Sequence, residues 1–162
     1  MKSNPGVVLR RARAGDGVAL ACVLRPADRA ELAASHPGRE AGALLEEFIA
    51  CSCESVCLLY QGQPVALAGI YAPVLLGPSA CVWLLSGRGI ERCPVSFLRV
   101  AKKQLAVWNN RYPVLSNEVD ARYETAVRFI THLGGQFSGK KSLRCHISFL
   151  HFTFRRFPWE EL

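Results

Sequence analysis

The sequence predicts an α/β fold built on a mixed sheet. Three observations carry this. Short runs rich in Val, Leu and Ile alternate with stretches whose apolar residues recur at helical spacing. Ala80–Leu85 is apolar on both alternations, as expected of a central strand covered on both faces. Glycine or proline punctuates the passages between these runs.

In order, Val7–Ala12 reads as a first strand, and Asp16 stands as the N-cap of a short helix carrying Val18, Leu20, Ala21 and Leu24. Pro26 opens a second helix that ends near Ser35-His36-Pro37-Gly38. A third, from about Arg39 to Ala50, puts Leu44, Leu45, Phe48 and Ile49 on one stripe. Val56–Tyr60 and Pro64–Tyr71 flank Gln61-Gly62-Gln63 as a hairpin, and the strand Ala80–Leu85 follows. After Ser86-Gly87-Arg88-Gly89, Pro94–Trp108 forms a helix with Phe97, Ala101, Leu105 and Trp108 on its apolar face. Tyr112–Val119 is the next strand. Ala126, Phe129, Ile130 and Leu133 mark the last helix, which Gly134 stops. Gln136-Phe137 and Ser148–Arg155 read as a closing strand pair turning at Gly139-Lys140-Lys141.

With 162 residues, half of them hydrophobic, the chain suits one domain over residues 1–162. No apolar run reaches the ~18 residues of a spanning helix, and the N-terminus lacks a signal-peptide core, so an intracellular protein without a membrane span is expected. Seven cysteines are expected to be reduced core residues; no second Cys or Cys/His pair follows Cys51, Cys53 and Cys57 at zinc-ribbon spacing, so no metal is expected. The net charge of +7 is spread from Arg10 to Arg156. Arg92, Arg99, Lys102 and Lys103 read as a solvated helix face, and Lys140, Lys141, Arg155 and Arg156 form a second basic cluster. Phe149, Phe152, Phe154 and Phe157 alternate as core or interface residues do. Nucleic acid is therefore not the expected partner.

The unit Leu115-Ser116-Asn117-Glu118-Val119, running through Asp120-Ala121-Arg122 into a helix ending at Gly134-Gly135, is similar to the final strand-helix unit of the GNAT (acetyl-CoA-dependent N-acetyltransferase) superfamily. The element order extends the resemblance along almost the whole chain. It implies a mostly antiparallel central sheet flanked by helices on both faces. The chain more closely resembles small phage and prophage GNAT-like proteins related to the internal virion protein of short-tailed phages. That resemblance is carried by Leu24-Arg25-Pro26-Ala27-Asp28-Arg29-Ala30-Glu31-Leu32, Trp83-Leu84-Leu85, Phe97-Leu98-Arg99, Tyr112-Pro113, the Val119–Arg122 strand exit and Phe149–Arg155. It implies a bacterial cytoplasm or a virion as location.

The superfamily resemblance implies acetyl-CoA as cofactor and an amine as acceptor. The backbone of Trp83, Leu84, Leu85 and Ser86 would pair with the pantetheine arm, while Arg88, Gly89 and Arg92 would meet the pyrophosphate. The family's loop pattern Gln/Arg-x-x-Gly-x-Gly/Ala, started at Arg88, puts Glu91 and Cys93 at its glycines. Its helical tyrosine, which protonates the leaving thiolate, falls on Ile130. Tyr123 lies about two turns earlier and is expected to point elsewhere. Glu118 and Asp120 are the candidate bases, because either could face the cleft by strand alternation. Two functions follow from these departures. One is an N-acetyltransferase with a degenerate cofactor loop and no tyrosine acid; the other is a non-catalytic virion or assembly protein using the fold as a scaffold, with virion partners. Independently of either, Phe149–Phe154 offers a hydrophobic edge through which two copies would pair as a homodimer.

Overall fold

The structure, a computed structural model, describes residues 6–74 and 77–156. Its elements run β1 (Val7–Arg11), α1 (Asp16–Ala21), α2 (Pro26–Ser35), α3 (Ala41–Cys51), β2 (Glu54–Tyr60), β3 (Gln63–Tyr71), β4 (Ser79–Ser86), a 3-10 turn (Arg88–Arg92), α4 (Pro94–Arg111), β5 (Val114–Asp120), α5 (Glu124–His132), β6 (Gln136–Arg144) and β7 (Ile147–Arg155). The strands form one sheet in the order β1-β2-β3-β4-β5-β7-β6. Every pairing is antiparallel except β4 with β5.

Strand alternation divides the core between the two faces. Leu20, Leu24, Leu32, Leu44 and Leu45 of α1–α3 and the segment between them pack on Cys57, Leu67 and Leu85. On the opposite face Trp108 of α4 and Ile130 of α5 join Val56, Ile70, Leu115, Val119 and Phe152. The helices therefore flank the sheet on both sides. The α5 stop is a Schellman motif: Gly135 N–H donates to the Ile130 carbonyl (2.9 Å), Gly134 N–H to that of Thr131 (3.0 Å), and Gly134 takes φ 90°.

The parallel seam between β4 and β5 is short. It joins only Ser79 to Val114, Ala80 to Leu115 and Cys81 to Ser116. One step further, the Asn117 side-chain Nδ2 donates to the Val82 carbonyl at 2.7 Å, a bond that backbone would make in a closed ladder. From there the strands part. This corrects the expectation that β4 is covered on both faces: Val82 and Trp83 are half-buried and Leu84 is 37% exposed, because the gap opens beside them.

Several local expectations also need correcting. Asp16 does not cap α1; Gly15 holds the cap position, and the Asp16 carboxylate turns inward to accept from Arg10 (2.7 and 2.9 Å) and from the Arg13 N–H (2.7 Å). The capping acceptor comes instead from α3, whose Glu46 Oε1 takes the Gly15 and Val18 N–H groups at 3.0 and 3.1 Å. The closing hairpin turns at Cys145-His146, both at positive φ (48° and 63°), whereas Gly139 (φ 79°) sits in a bulge within β6. Neither turn residue is the Gly or Asn that such a two-residue loop favours, so the turn left no local signal. β7 lies between β5 and β6, so Phe149–Phe154 is not a free edge; β6 is the strand at the end of the sheet. Cys57 and Cys93 are buried, but Cys22, Cys51, Cys53 and Cys145 are exposed at helix surfaces and loops rather than in the core. Phe157 lies outside the described residues.

Gly69 on β3 faces Trp83 on β4 across the ladder, and a Cβ there would lie 2.7 Å from the indole. The bare backbone lets the ring lie flat and donate Nε1–H to Ser52 Oγ at 2.9 Å. Gly69→Ala is expected to destabilise by about 1–3 kcal/mol through overpacking, read as a lower denaturant midpoint at unchanged slope.

Candidate active site

The gap between β4 and β5 connects two clefts on opposite faces of the sheet. One, of about 590 Å³, lies between the sheet and α4–α5. The other, of about 440 Å³, lies against α2 and α3. Glu31, Trp83, Leu84, Asn117 and Glu118 line both. Residues at the gap thus border both clefts.

Helix α2 supplies the acids there. Asp28 and Leu32, one turn apart on α2, are both buried (6 and 7% exposed), so Asp28 occupies its core-facing side. Its carboxylate accepts from the Ser86 N–H (3.0 Å), the Ser86 hydroxyl (3.2 Å) and the Tyr123 hydroxyl (2.9 Å). Burial raises the Asp28 pKa, and these hydrogen bonds oppose the rise. One turn on, Glu31 accepts from the Asp120 N–H at 3.0 Å. Burial, aided by the charges of Asp28 and Asp120, pushes Glu31 up to about 7. The two acids thus bridge the gap, Asp28 holding the end of β4 and Glu31 the end of β5.

Tyr123 precedes α5 and points into the gap, contrary to the sequence expectation. Its hydroxyl is fixed by Asp28, and the Arg25 guanidinium lies 5.8 Å from its ring centroid. Burial, then the Asp28 charge and hydrogen bond, raise its pKa, so it keeps its proton. Turning at Asp120-Ala121-Arg122 before the helix begins is what aims the side chain inward; helical periodicity alone misses it.

Of the residues expected at the cofactor, Trp83, Leu84 and Ser86 line the larger cleft, and Leu85, only 5% exposed, faces the smaller one. Arg88, Gly89 and Arg92 line neither. Their loop spends its amides internally: Gly87 N–H on the Val65 carbonyl (2.8 Å), Arg88 on Val23 (3.0 Å), Ile90 on Gly87 (3.3 Å) and Cys93 on Ile90 (3.0 Å). A Cβ on Gly89 would meet Val65 Cγ1 at 2.4 Å, so close packing by itself requires glycine there. Glu118 borders both clefts and pairs with Arg144 at 2.7 Å. Asp120 is buried and lines neither cleft; its carboxylate folds onto Arg122, whose hydrogen bonds lower its pKa. Ile130, at the family's tyrosine position, packs in the core and borders the larger cleft.

Asp28, Glu31 and Asn117 are the site residues that sequence reasoning missed. For Asp28 a signal existed, since an acid one helical turn from Leu32, on the side that α2 buries, must find partners. For Glu31 and Asn117 no local pattern tells a cleft residue from a surface one.

No family model and no curated protein matches the sequence. Solved structures do match in fold over nearly the whole chain. A GCN5-related N-acetyltransferase from Kribbella flavida is 13% identical with a TM-score of 0.71, covering 95% of this chain and 100% of that one. Ribosomal-protein-alanine N-acetyltransferase from Brucella melitensis is 15% identical with a TM-score of 0.67 (92% and 99%). A spermidine N-acetyltransferase chimera of Vibrio cholerae SpeG and hSSAT is 11% identical with a TM-score of 0.68 (93% and 95%). The mixed, mostly antiparallel sheet with helices on both faces is the GNAT fold. No helix among the described residues is long and apolar enough to cross a membrane.

Proposed function

We propose that the chain acts as a single GNAT-type domain that transfers an acyl group from a coenzyme A thioester, acetyl-CoA in the simplest case, to an amine. The observation that carries this reading is the pair of clefts meeting through the parted strands at Glu31. Donor and acceptor enter from opposite faces, and the acceptor side presents Glu31 to an ammonium group, Glu47 and Glu118 there being paired with Arg39 and Arg144.

The gap suits the arm of such a thioester. At its edges the Val82 carbonyl is held by Asn117 and the Ser86 N–H by Asp28, so the peptide turned the same way at Leu84, by alternation, is the one to meet the arm. The loop after β4 suits a pyrophosphate poorly, because four of its amides face inward. Acetyl-CoA would supply an activated acyl carbon. Glu31, with a pKa near neutrality, accepts the proton that an ammonium acceptor must lose before its nitrogen can attack. Tyr123 takes the place of the missing tyrosine at Ile130: its hydroxyl proton, resting on Asp28, turns to the departing thiolate, and the phenolate regains a proton from solvent. Asp28 positions that hydroxyl.

The inward-facing loop amides favour a second reading, a scaffold that binds no coenzyme. Phage origin and virion partners belong with it and rest on the family resemblance. Thiol release from acetyl-CoA, measured against a panel of primary amines and polyamines, separates the two. Amine-dependent release is expected, with Tyr123→Phe slowing kcat by about 10²-fold. No release and no heat of binding with either acetyl-CoA or octanoyl-CoA would favour the scaffold.

A further inference from the structure

Helix α4 stands off the sheet. Of its 18 residues only Trp108 is buried; Phe97, Ala101 and Leu105, the stripe that should pack inward, remain half-buried. The larger cleft runs beneath this helix, away from the gap, over a floor that includes Val56, Ala68, Val82 and Phe152. Both its floor and its roof include a small side chain, Ala68 on β3 and Ala101 on α4. Two roof donors have no partner: Trp108 Nε1, on a residue 2% exposed, and Gln104 Nε2, one turn earlier on the same face.

A sealed core would cover α4's stripe and would not strand two donors. Water is a poor filling, since each molecule needs two to four polar partners and this part of the wall is mainly hydrocarbon. The occupant must be largely aliphatic and must carry an acceptor oxygen. It must also fit a space that leads directly to the acyl-transfer point.

We propose that the cleft beneath α4 binds a fatty acid of roughly eight to ten carbons, whose carboxyl oxygens meet the stranded donors. At ~30 Å³ for each methylene-sized unit, taken as the liquid volume of one water, such a chain fills about half the cleft and leaves room for the thioester arm. An acetyl group leaves most of the cleft empty. With its carboxyl group at α4 this chain is a ligand distinct from the acyl donor reacting at the gap, and its binding does not depend on the transferase reading.

Calorimetric titration of the full chain with butanoate, octanoate and decanoate tests the site. Affinity is expected to rise about fourfold for each added methylene. Ala101→Leu, which fills the cleft, is expected to weaken decanoate by at least roughly tenfold. Val107→Leu, on the exposed side of the same helix (54% exposed), is expected to leave binding unchanged and controls for folding. Affinity that is flat with chain length, or equal loss in both variants, overturns the proposal. Amine-dependent turnover of acetyl-CoA with no chain-length effect overturns the chain site while leaving the transferase intact. Chain binding with no turnover of acetyl-CoA or octanoyl-CoA does the reverse.

Discussion

Replacing Glu31 with Gln is expected to lower amine acylation at pH 7 by about 10²–10³-fold, the usual worth of a positioned general base. Glutamine can still accept from the Asp120 N–H, so the architecture at the end of β5 should persist. A group near 7 gives the wild type a rate that rises with pH through neutrality and then levels; the variant should lose that inflection. Stability gives an independent readout. Because the folded Glu31 pKa lies above its ordinary value of 4.5, the native state binds the extra proton between about pH 4.5 and 7. Glu31's contribution is therefore fully present below the lower limit and lost as pH rises through the upper one. Above pH 7 Glu31→Gln should be more stable than the wild type by about 1–3 kcal/mol, and below pH 4.5 the two should converge. A variant with undiminished activity and an unchanged pH profile would remove Glu31 from the mechanism.

Asp16→Ala should produce the largest loss of stability, about 2–4 kcal/mol. Removing one partner of a buried ion pair commonly costs about 3–5 kcal/mol, and Arg10, whose side chain is 24% exposed, recovers part of its hydration. The Arg13 N–H also loses its acceptor. Arg10 holds the Asp16 pKa below its ordinary value. The pair's contribution is thus present above about pH 4 and lost as pH falls through the depressed folded pKa. Chemical denaturation at pH 7 and pH 3 should show a gap between wild type and variant that narrows in acid. An unchanged midpoint at pH 7 would mean that the pair contributes nothing.

Most of the architecture was legible because periodicity and turn chemistry act locally. Leu44, Leu45 and Phe48 announce α3, Gln61-Gly62 the β2–β3 hairpin, and Gly134 the end of α5. What stayed illegible was set by partners distant in sequence. Glu46 caps a helix some thirty residues earlier, and Cys145-His146 turns a hairpin without the usual residues because the flanking ladder holds it. The site follows the same division. Trp83, Leu84 and Ser86 fall on a strand whose place is readable, and they do border a cleft. Asp28 and Glu31 reach that cleft only because α2 crosses the gap. Alternation placed Glu118 there and could not show that Asp120 would fold back onto Arg122.

The three-pair seam between β4 and β5 also orders the chain in time. On one side β1 to β4 pair with sequence neighbours, apart from the excursion through α1–α3; on the other, β5, β6 and β7 lie within about forty residues. Hairpins β2–β3, β3–β4 and β6–β7 are local, whereas β1–β2 must close the excursion through α1–α3. Only the seam demands a parallel crossover, with the whole of α4 as its connection. It closes a long loop for only three residue pairs, a poor return of hydrogen bonding for loop entropy that disfavours early formation. Late joining of the two half-sheets at the future cleft is the kinetic signature this seam implies.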